Sequence, residues 1–527
     1  MTATVERGSV TPWITRELLD DLVSRIDVPA DRSQDPVLSP FDESELVSVP
    51  RATSDDVAAA VDRSRQAQAD WARAPLDHRL GVISKFHDLL IDRADIVIDL
   101  VQLEAGKARI PSMEEVFDTV ATTHFYLKTA SGLLERKRRA VSFPGFTKAY
   151  EYRHPLGVVG SITPWNFPFT LAVSDAIPAL LAGNGVVVKP DEKTPLSAVY
   201  GALLLEEAGL PKGLFQVVTG LGEEVGPSLI GQVDFVMFTG STAVGRLVAE
   251  RAARRLIGSS MELGGKNAAI VLADADLRKT VPGISRAVFA NGGQLCIAME
   301  RIYVERRISE EFTKRFVEHT RGLVMTAEFD FSSSMSSMIS RDHMENVHDH
   351  VQDAVSKGAT LLTGGKPRPD VGPLFYEPTV LADVGEHMDL CRDETFGPVV
   401  SIYPVDTVDE AIALANDSDF GLNFSVWTQN IDKGVSIATR LHAGTVGVND
   451  GYAAAWSSYE APMGGWKASG QGRRHGAEGL LKYTEPQTVA VQRIGPAFAP
   501  FAGIGYPAYQ KLLGRVLKLL KRVPFYK

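Results

Sequence analysis

The residue types best suited to covalent chemistry lie around one cysteine. Cys296 ends the segment FANGGQLC (residues 289–296), in which an Asn-Gly-Gly turn precedes the thiol. A turn of this kind can direct backbone N–H groups towards the atom that a thiolate attacks. A single cysteine is nevertheless more often a small residue of the hydrophobic core. The interpretation of Cys296 as a nucleophile therefore depends on its neighbours.

Two upstream segments supply the other groups that such chemistry needs. Glu262, in MELGGKN (residues 261–267), is a carboxylate next to a Gly-Gly pair, and Asn166, in PWNFP (residues 164–168), is a side-chain amide. A nucleophile, a base and an oxyanion donor now have one candidate each, and we predict that Cys296, Glu262 and Asn166 form a catalytic site. The alternatives are a surface or helix-dipole carboxylate at Glu262 and a turn-forming Asn166 before Pro168.

Together these segments resemble the aldehyde dehydrogenase family. The separation of 34 residues between Glu262 and Cys296 matches the family's usual spacing. The resemblance covers about residues 35–493 and is closest to the succinate-semialdehyde dehydrogenase branch. Four further motifs follow in the family's order: KPDEKTP (residues 189–195), FTGST (238–242), ETFGP (394–398) and PMGG (462–465).

The resemblance implies oxidation of a small-molecule aldehyde to a carboxylic acid with NAD or NADP. Cys296 would attack the carbonyl carbon, and the Asn166 amide and the Cys296 N–H would hold the oxygen of the adduct. Hydride transfer would leave a thioester, which Glu262 would hydrolyse by activating water. Family members that pass the acyl group to coenzyme A generally lack a base here, so Glu262 favours hydrolysis. The alternative from another class is a catalytically silent relative that serves as a structural or binding protein.

A dinucleotide site is expected between residues 157 and 273, where short apolar runs alternate with helical patterns. This alternation indicates a parallel sheet with crossover helices, and nucleotides bind at the carboxyl ends of such strands. The loop TGSTAVG (residues 239–245) lacks the G-x-G-x-x-G pattern but offers a capped helix N-terminus. From the residues alone a plain N-cap and a phosphate site are equally consistent, and the resemblance favours the phosphate site. The resemblance assigns the cofactor to Thr163, Trp165, Lys189, Glu192, Gly240, Ser241, Gly245, Gly264, Glu394 and Phe396.

The choice between NAD and NADP depends on Glu192. By resemblance this carboxylate accepts from the adenosine ribose hydroxyls, and it should repel a 2′-phosphate. We therefore predict NAD over NADP, although Lys189 or Lys193 could swing to neutralise the extra charge.

The substrate is the point at which this chain departs from the branch it resembles. Members of that branch hold the substrate carboxylate with two arginines and a serine, whose counterparts here are Ser174, Ala290 and Ser457. Of these three residues this chain has only the serine. A carboxylate is normally bound by an arginine that donates two parallel hydrogen bonds to it. Either another cation such as Arg474 or His475 reaches the site, or the aldehyde is less polar.

Two aldehyde classes consequently remain open. Succinate semialdehyde is the first, and the resemblance assigns its binding to Phe167, Ser174 and Ser457. A medium-chain or aromatic aldehyde is the second, consistent with aromatic residues near the presumed tunnel, namely Trp165, Phe167 and Trp456. The family's usual lysine near the tunnel is Asp175 here, and its late glutamate, thought to relay protons, is Arg474.

The resemblance implies an α/β, aldehyde-dehydrogenase-like architecture with two Rossmann-type domains and a β-hairpin oligomerisation element. The length of 527 residues separately indicates two or more domains, because it exceeds what one hydrophobic core usually supports. The aromatic hairpin at residues 136–155 and a late strand near 484–492 are expected to join subunits into a homodimer or homotetramer. The predicted segments are an N-terminal arm (1–35), a dinucleotide-binding domain (36–135 and 156–266), a catalytic domain (267–448), the oligomerisation element (136–155 and 484–493) and an amphipathic tail (494–527).

Composition limits the remaining options. The net charge of −10 argues against nucleic-acid binding, and only two cysteines indicate a reducing compartment and no disulfide framework. Without a signal peptide or a long apolar run, a cytoplasmic protein is expected. No metal is expected. The tail places leucines and valines on one helical face and basic residues on the other, which favours packing on its own acidic chain, with a membrane surface as the alternative.

Overall fold

The N-terminal segment packs on the body of the protein. The computed structural model describes residues 9–29, 31–141, 146–494, 500 and 503–521. Helix α1 (Arg16–Ser24) begins at Thr15, whose hydroxyl accepts from the Leu18 N–H, and it buries Leu19 and Leu22 in the main core. Residues 9–29 therefore differ from the loosely ordered arm that we expected. An antiparallel pair follows, formed by β1 (Gln34–Leu38) and β2 (Glu45–Pro50).

Four helices then build a layer beside the first large sheet. The first of them begins with a capping box, in which Thr53 and Asp56 each satisfy the other's backbone N–H. The left-handed Gly106 at φ 64° ends the third and turns the chain into the fourth, which borders the site described below. The helices are α2 (Ser54–Trp71), α3 (Leu76–Asp92), α4 (Ala94–Ala105) and α5 (Arg109–Leu134).

The first large sheet has six strands and the doubly wound arrangement typical of nucleotide-binding folds. Its strands are β5 (Val158–Ile162), β6 (Gly185–Lys189), β7 (Phe215–Val217), β8 (Phe235–Thr239), β9 (Gly258–Glu262) and the late, antiparallel β19 (Gly470–Gln471). Its order, β19-β9-β8-β5-β6-β7, reverses between β5 and β8, and ligands bind at such a switch point. The connecting helices are α6 (Pro168–Val173), α7 (Ala176–Leu181), α8 (Pro195–Glu207), α9 (Gly222–Ile230) and α10 (Thr242–Arg254).

The second large sheet has seven strands, all from residues 267–448, the range predicted for the catalytic domain. Its order is β12-β13-β14-β11-β10-β16-β17, parallel except for β12. The strands are β10 (Asn267–Val271), β11 (Met299–Glu305), β12 (Thr360–Thr363), β13 (Thr379–Ala382), β14 (Val399–Val405), β16 (Asn423–Trp427) and β17 (Thr445–Val448). The helices around it are α11 (Leu277–Phe289), α12 (Arg306–Arg321), α13 (Arg341–Ser356), α14 (Asp389–Arg392), α15 (Val408–Asn416), α16 (Ile431–Ala438) and α17 (Ala453–Trp456).

The aromatic segment forms a third sheet together with the late strand. Strands β3 (Lys137–Arg139), β4 (Thr147–Pro155) and β20 (Thr484–Gln492) are antiparallel, and β20 pairs with β4 over nine residue pairs. Strand β20 pairs with β4 along one edge only, and its other edge, which is expected to pair across a subunit interface, has no strand beside it in the described part of the chain. The expected Pro-Gly turn lies outside the described residues. Two short elements, β15 (Phe420–Gly421) and β18 (Trp466–Lys467), pair with each other.

The chain ends in a helix that lies largely in solvent. After α18 (Gly476–Leu481) and β20, helix α19 (Tyr506–Leu520) exposes Leu512, Val516, Leu517 and Leu519, while Tyr509 is buried. Packing of the whole apolar face on the chain itself, which we expected, is therefore wrong for these four side chains. Within the described ranges no helix is both long and apolar enough to cross a membrane.

Candidate active site

The loop that carries the cysteine is held in an unusual backbone conformation. Asn291, Gly292 and Gly293 follow one another with φ of 53°, 63° and 72°, which reverses the chain after α11. A Cβ at position 293 would lie 2.0 Å from the Gly397 carbonyl oxygen, so only glycine fits there. The turn therefore fixes where the following residues, including the nucleophile candidate, enter the site.

Asn166 is tied to this loop by hydrogen bonds. It follows β5 at the switch point, and its Nδ2 donates to the Gln294 carbonyl at 3.0 Å. Its own carbonyl accepts from Asn291 Nδ2 at 3.2 Å and from the buried Lys107 Nζ at 2.9 Å. The Oδ1 atom is buried without a protein partner. The amide is thus fixed beside the cysteine loop with unsatisfied hydrogen-bonding capacity.

Lys107, which belongs to none of the motifs above, positions the segment that carries Asn166. Its ammonium pairs with the buried Glu115 at 2.9 Å and lies 3.3 Å from the centroid of the Phe167 ring. Glu115 in turn accepts from the N–H groups of Phe169 and Thr170 at the start of α6. This buried ion pair fixes the segment that presents Asn166, because each partner also satisfies backbone groups on it.

The Cys296 thiol is protonated in this environment. Burial raises the pKa of Cys296 to about 12, and the negative charges of Glu394 and Glu262 act in the same direction. Its carbonyl oxygen accepts from Asn267 Nδ2 at 2.8 Å, which holds the residue in place. A thiol of this kind needs a base before it can attack, because the thiolate is the nucleophile.

Glu262, at the end of β9, can serve as that base. It is only 5% exposed and its Oε1 atom has no hydrogen-bond partner. Burial raises the pKa of Glu262 to about 7, against the opposing charge of Arg474. A carboxyl group with a pKa close to neutral pH is suited to accept and return protons.

All three predicted catalytic residues border one cavity of about 510 Å³. Cys296, Glu262 and Asn166 come from the cysteine loop, from β9 and from the loop after β5, which lie far apart in the sequence. Several of the predicted ligand-binding residues line the same cavity: Trp165, Phe167, Gly240, Ser241, Gly264, Glu394, Phe396 and Ser457.

One end of this cavity lies at the switch point of the six-stranded sheet. Ser241 caps α10 by accepting from the Val244 N–H at 3.3 Å, so the helix N-terminus faces this end. At Gly245 a Cβ would lie 2.3 Å from Leu263, which shows how closely α10 approaches β9. Thr163 is buried beside the same strand ends, and its hydroxyl has no partner.

The two residues expected at the adenosine ribose lie outside that cavity, at the end of β6. Lys189 Nζ is 3.3 Å from Glu192 Oε2, and Lys193 Nζ is 3.3 Å from Glu192 Oε1. A Cβ at Gly222, the first residue of α9, would lie 3.7 Å from Lys189 Nζ. The carboxylate is therefore held between two lysines at the mouth of a groove beside α9.

Glu394 and Phe396 line the same cavity as the cysteine. Glu394 Oε1 accepts from the Gly265 N–H at 2.7 Å, and burial raises the pKa of this carboxyl to about 8. A Cβ at Gly264 would lie 2.2 Å from Glu394, so the glycine is needed for this approach. Phe396 has a φ of 53°, and its ring is 5.6 Å from Trp165 in an edge-on contact. His343, which the sequence did not single out, accompanies them, with Nε2 2.8 Å from the Phe396 carbonyl.

Ser174, predicted to bind substrate, does not line the main cavity. It borders a smaller cavity together with Asp175, Arg474 and His475. Burial lowers the pKa of His475 to about 3, so this imidazole is neutral and offers no charge to a carboxylate. Arg474 lines both cavities, but its guanidinium is paired with Asp175 at 2.5 Å.

The far end of the main cavity has an acidic and aromatic wall that sequence reasoning missed. Asp118 accepts from Trp456 Nε1 at 2.5 Å and from Tyr459 OH at 3.0 Å. Glu114, one turn earlier on α5, pairs with Arg286 and accepts from Tyr452 OH at 3.1 Å. The i, i+4 spacing of Glu114 and Asp118 indicated a shared helix face, but only the fold turns that face towards the cysteine.

The fold and this cavity define a class of protein. It is an α/β protein in which the switch point of a doubly wound sheet, where nucleotides commonly bind, borders a cavity that is also lined by a cysteine. Comparison with known proteins agrees. The model described as "Aldehyde dehydrogenase family" matches residues 28–489. The chain belongs to the aldehyde dehydrogenase family, and its reaction class is the NAD- or NADP-dependent oxidation of an aldehyde. The predicted family and fold class are confirmed.

Individual relatives cover nearly the whole chain. A Mycolicibacterium smegmatis protein named "Putative succinate-semialdehyde dehydrogenase NADP(+)" is 49% identical over 96% of this chain and 98% of its own length. The NAD-dependent aldehyde dehydrogenase of Sinorhizobium meliloti superimposes with a TM-score of 0.85 at 36% identity, covering 90% and 94% of the two chains. The betaine aldehyde dehydrogenase of Staphylococcus aureus, solved with NAD+, gives 0.84 at 30% identity over 92% and 100%.

Proposed function

We propose that this chain oxidises an aldehyde to a carboxylic acid through a covalent adduct on Cys296, with Asn166 as oxyanion donor and Glu262 as general base. The observation that supports this assignment is that the thiol, the carboxylate and the amide border a single buried cavity. These are the groups that addition to a carbonyl carbon and hydrolysis of the resulting thioester require.

The protonation states suggest an order of events. The Cys296 proton must leave before attack, and Glu262, with a pKa of about 7, is the neighbouring group able to accept it. Sulfur then bonds to the carbonyl carbon, and the Asn166 amide and the Cys296 N–H stabilise the oxygen anion. NAD or NADP, when bound, would supply the acceptor for the hydride that leaves this carbon. Glu262 next returns the thiol proton to solvent and then takes a proton from water. The hydroxide adds to the thioester carbon, the C–S bond breaks to release the acid, and Glu262 passes its proton back to the Cys296 thiolate.

The residues at the switch point fit a dinucleotide. The buried hydroxyl of Thr163 has no partner among the described residues, and α10 begins beside the same cavity, which Gly240 and Gly264 also line. The N–H groups of the first turn of α10, apart from that of Val244, offer donors to a pyrophosphate. Val244 and Leu247 are exposed on the first turns of α10, an arrangement that suits an adenine ring. We propose that Lys189 and Glu192 contact the adenosine ribose.

NAD remains the favoured cofactor by the charge of Glu192, with NADP as the alternative. The M. smegmatis relative is named for NADP(+), and the lysines on both sides of Glu192 would have to turn towards a 2′-phosphate for this chain to use it. A kcat/KM ratio that favours NADP by more than about tenfold, about 1.4 kcal/mol, would overturn the preference for NAD.

Succinate semialdehyde is the first substrate candidate because of that relative's name and the closeness of the two sequences. Its carboxylate would need a cation, and Arg286 at the cavity wall is the one that could turn from Glu114 towards it. A medium-chain or aromatic aldehyde is the second candidate. The wall of Phe117, Phe167, Tyr452, Trp456 and Tyr459 favours it, since an apolar tail needs no ion partner.

A substrate panel tests both the proposed mechanism and the proposed substrate. Succinate semialdehyde, hexanal and benzaldehyde are compared with NAD and with NADP by following formation of the reduced cofactor. We expect oxidation of at least one aldehyde and loss of turnover in Cys296→Ala with every one of them. Full turnover by Cys296→Ala would refute the mechanism. Faster oxidation of hexanal or benzaldehyde than of succinate semialdehyde would revise only the assignment of the substrate.

We further propose the predicted division into dinucleotide-binding, catalytic and oligomerisation segments, a cytoplasmic location, and assembly through the third sheet. Strand β20 is an edge strand of that sheet and exposes Val489 and Val491. An exposed apolar edge is normally covered by another chain, and a second copy is the partner that requires no further protein.

The C-terminal helix is proposed to contact an anionic membrane surface. Its apolar face includes Leu512, Val516, Leu517 and Leu519, all exposed, and its other face carries Lys511, Arg515, Lys518 and Lys521. No Asp or Glu occurs after Glu485. An acidic protein surface could attract the cations, but a lipid interface also buries the leucines, so it satisfies both faces.

A further inference from the structure

Arg474 occupies a fixed position between the two cavities. Its backbone N–H and carbonyl pair with Met463 at 2.6 and 2.9 Å, so the turn that carries it is anchored. The guanidinium Nη2 donates to Asp175 Oδ2 at 2.5 Å and to Thr239 Oγ1 at 2.8 Å. The side chain is almost fully buried, and it borders the same cavity as Glu262.

Arg474 and Glu262 each have a buried polar atom that lacks a partner. Among the described residues, neither Arg474 Nε nor Glu262 Oε1 has a hydrogen-bond partner. Leaving opposite charges buried and unsatisfied is costly, and pairing them would remove the cost on both sides. The wall beside the carboxylate is glycine, because a Cβ at Gly464 would lie 3.0 Å from Glu262 Oε1.

We propose that Arg474 is a positioning residue for the general base, held by Asp175 and Thr239 so that its fixed positive charge keeps Glu262 ionised and directed for hydrolysis of the thioester. The inference rests on the base role of Glu262 proposed above. Asp175 and Arg474 stand where the resemblance places a lysine and a glutamate, so the sign of the charge is reversed at both positions in this chain. An arginine does not release its proton at neutral pH, so this position cannot relay protons in this chain.

Several other charges face Glu262, and they determine the direction of the effect. Lys482 lies nearby, and burial lowers its pKa to about 8. The Lys482 and Arg473 charges favour the ionised carboxylate, as Arg474 does, whereas Asp175 opposes it. The Cys296 thiol is protonated and adds no charge at rest. Arg474 is the strongest of the favourable charges acting on Glu262.

Two single substitutions should therefore shift the pH profile in opposite directions. Arg474→Gln removes the cation, so the pKa of Glu262 rises, and the acid limb of kcat moves to higher pH. Asp175→Asn removes the competing anion, so the pKa of Glu262 falls, and the acid limb moves to lower pH. We expect shifts of about one pH unit each way, a tenfold change in rate on the acid limb.

The experiment measures kcat against pH, together with the pre-steady-state burst of reduced cofactor, in the full-length protein. Arg474→Lys keeps the charge and should restore most of the wild-type profile. The double variant Asp175→Asn with Arg474→Gln removes both charges of the pair, so their opposite effects on Glu262 partly cancel and the acid limb should return towards the wild-type position. Thermal unfolding of each variant separates instability from a change in profile.

The outcomes distinguish this inference from the proposed function. Acid limbs that stay in place, or that move in the same direction in Arg474→Gln and Asp175→Asn, would overturn the role of Arg474. Glu262→Gln tests the base itself, and it should lower steady-state turnover at every pH. If Glu262→Gln retained normal turnover, the assignment of Glu262 as the general base would be wrong, whatever the pH profiles of the Arg474 variants showed.

Discussion

At the scale of single residues, burial sets the chemistry of this site. The same apolar surroundings keep the Cys296 thiol protonated and bring the pKa of Glu262 close to neutral pH. Sequence motifs identified both side chains. They could not indicate either pKa, because desolvation depends on neighbours that only the fold assembles.

A substitution at Glu192 tests the basis of cofactor choice. Glu192→Gln removes the carboxylate that repels a 2′-phosphate and frees Lys189 and Lys193 to bind one. We expect the NADP-to-NAD ratio of kcat/KM to rise about tenfold, about 1.4 kcal/mol. Glu206→Gln, near the far end of α8, is the matched control, since it removes the same charge away from Lys189 and Lys193 and should leave the ratio nearly unchanged. A ratio unaffected by Glu192→Gln would exclude this carboxylate as the discriminating group.

At the scale of secondary-structure elements, close approach of helix and strand shapes the cofactor groove. Helix α10 comes so near to β9 that position 245 has no room for a side chain beside Leu263. The sequence predicted a helix N-terminus after the strand FVMF but could not reveal this distance. The role of Lys107 could not be read from the sequence either, because its ion pair with Glu115 positions the Asn166 loop through contacts that form only in the folded chain.

Gly245→Val should separate α10 from β9. The added side chain must displace Leu263, so we expect a loss of stability of about 1–3 kcal/mol and a several-fold weaker affinity for NAD. Thermal unfolding and calorimetric titration with NAD measure the two effects. Gly81→Val in α3, where a Cβ meets nothing within 4 Å, is the control and should bind NAD as the wild type does. Unchanged NAD affinity in Gly245→Val would show that the close contact does not support the groove.

At the scale of the whole molecule, two exposed apolar surfaces lie far from the cavity. One is the outer edge of β20 and the other is the apolar face of α19. Neither is covered by the described part of the chain, and each indicates a different partner. Their tests are independent, because the first changes mass in solution and the second changes association with lipid.

Charged substitutions on β20 should dissociate the proposed oligomer. Val489→Lys combined with Val491→Lys places two cations at the presumed contact, and we expect the mass measured by light scattering to fall towards that of one chain. Val355→Lys, on the exposed side of α13, is the control and should leave the mass unchanged. A wild-type protein that is monomeric, or a double variant with unaltered mass, would contradict assembly through this edge.

Removal of residues 506–527 should abolish binding to anionic vesicles. Phosphatidylglycerol vesicles and phosphatidylcholine vesicles are compared at low and high salt by co-sedimentation with the full-length and the truncated chain. We expect binding only to the anionic vesicles, only by the full-length chain, and weaker binding as salt rises. Failure of the full-length chain to bind, or a lower oligomeric mass after truncation, would indicate that the helix instead packs on a second copy.

The sequence alone was enough for the family, the α/β architecture and the three catalytic candidates, because those features depend on residue types at fixed local spacing. The tertiary structure alone decided the surroundings of these groups: the Glu114 and Asp118 wall, the pairing of Arg286, and the Asp175–Arg474 ion pair next to Glu262. These residues come from elements far apart in the chain. Coulombic and desolvation energies depend on distance and burial, and neither quantity can be read from positions along a sequence.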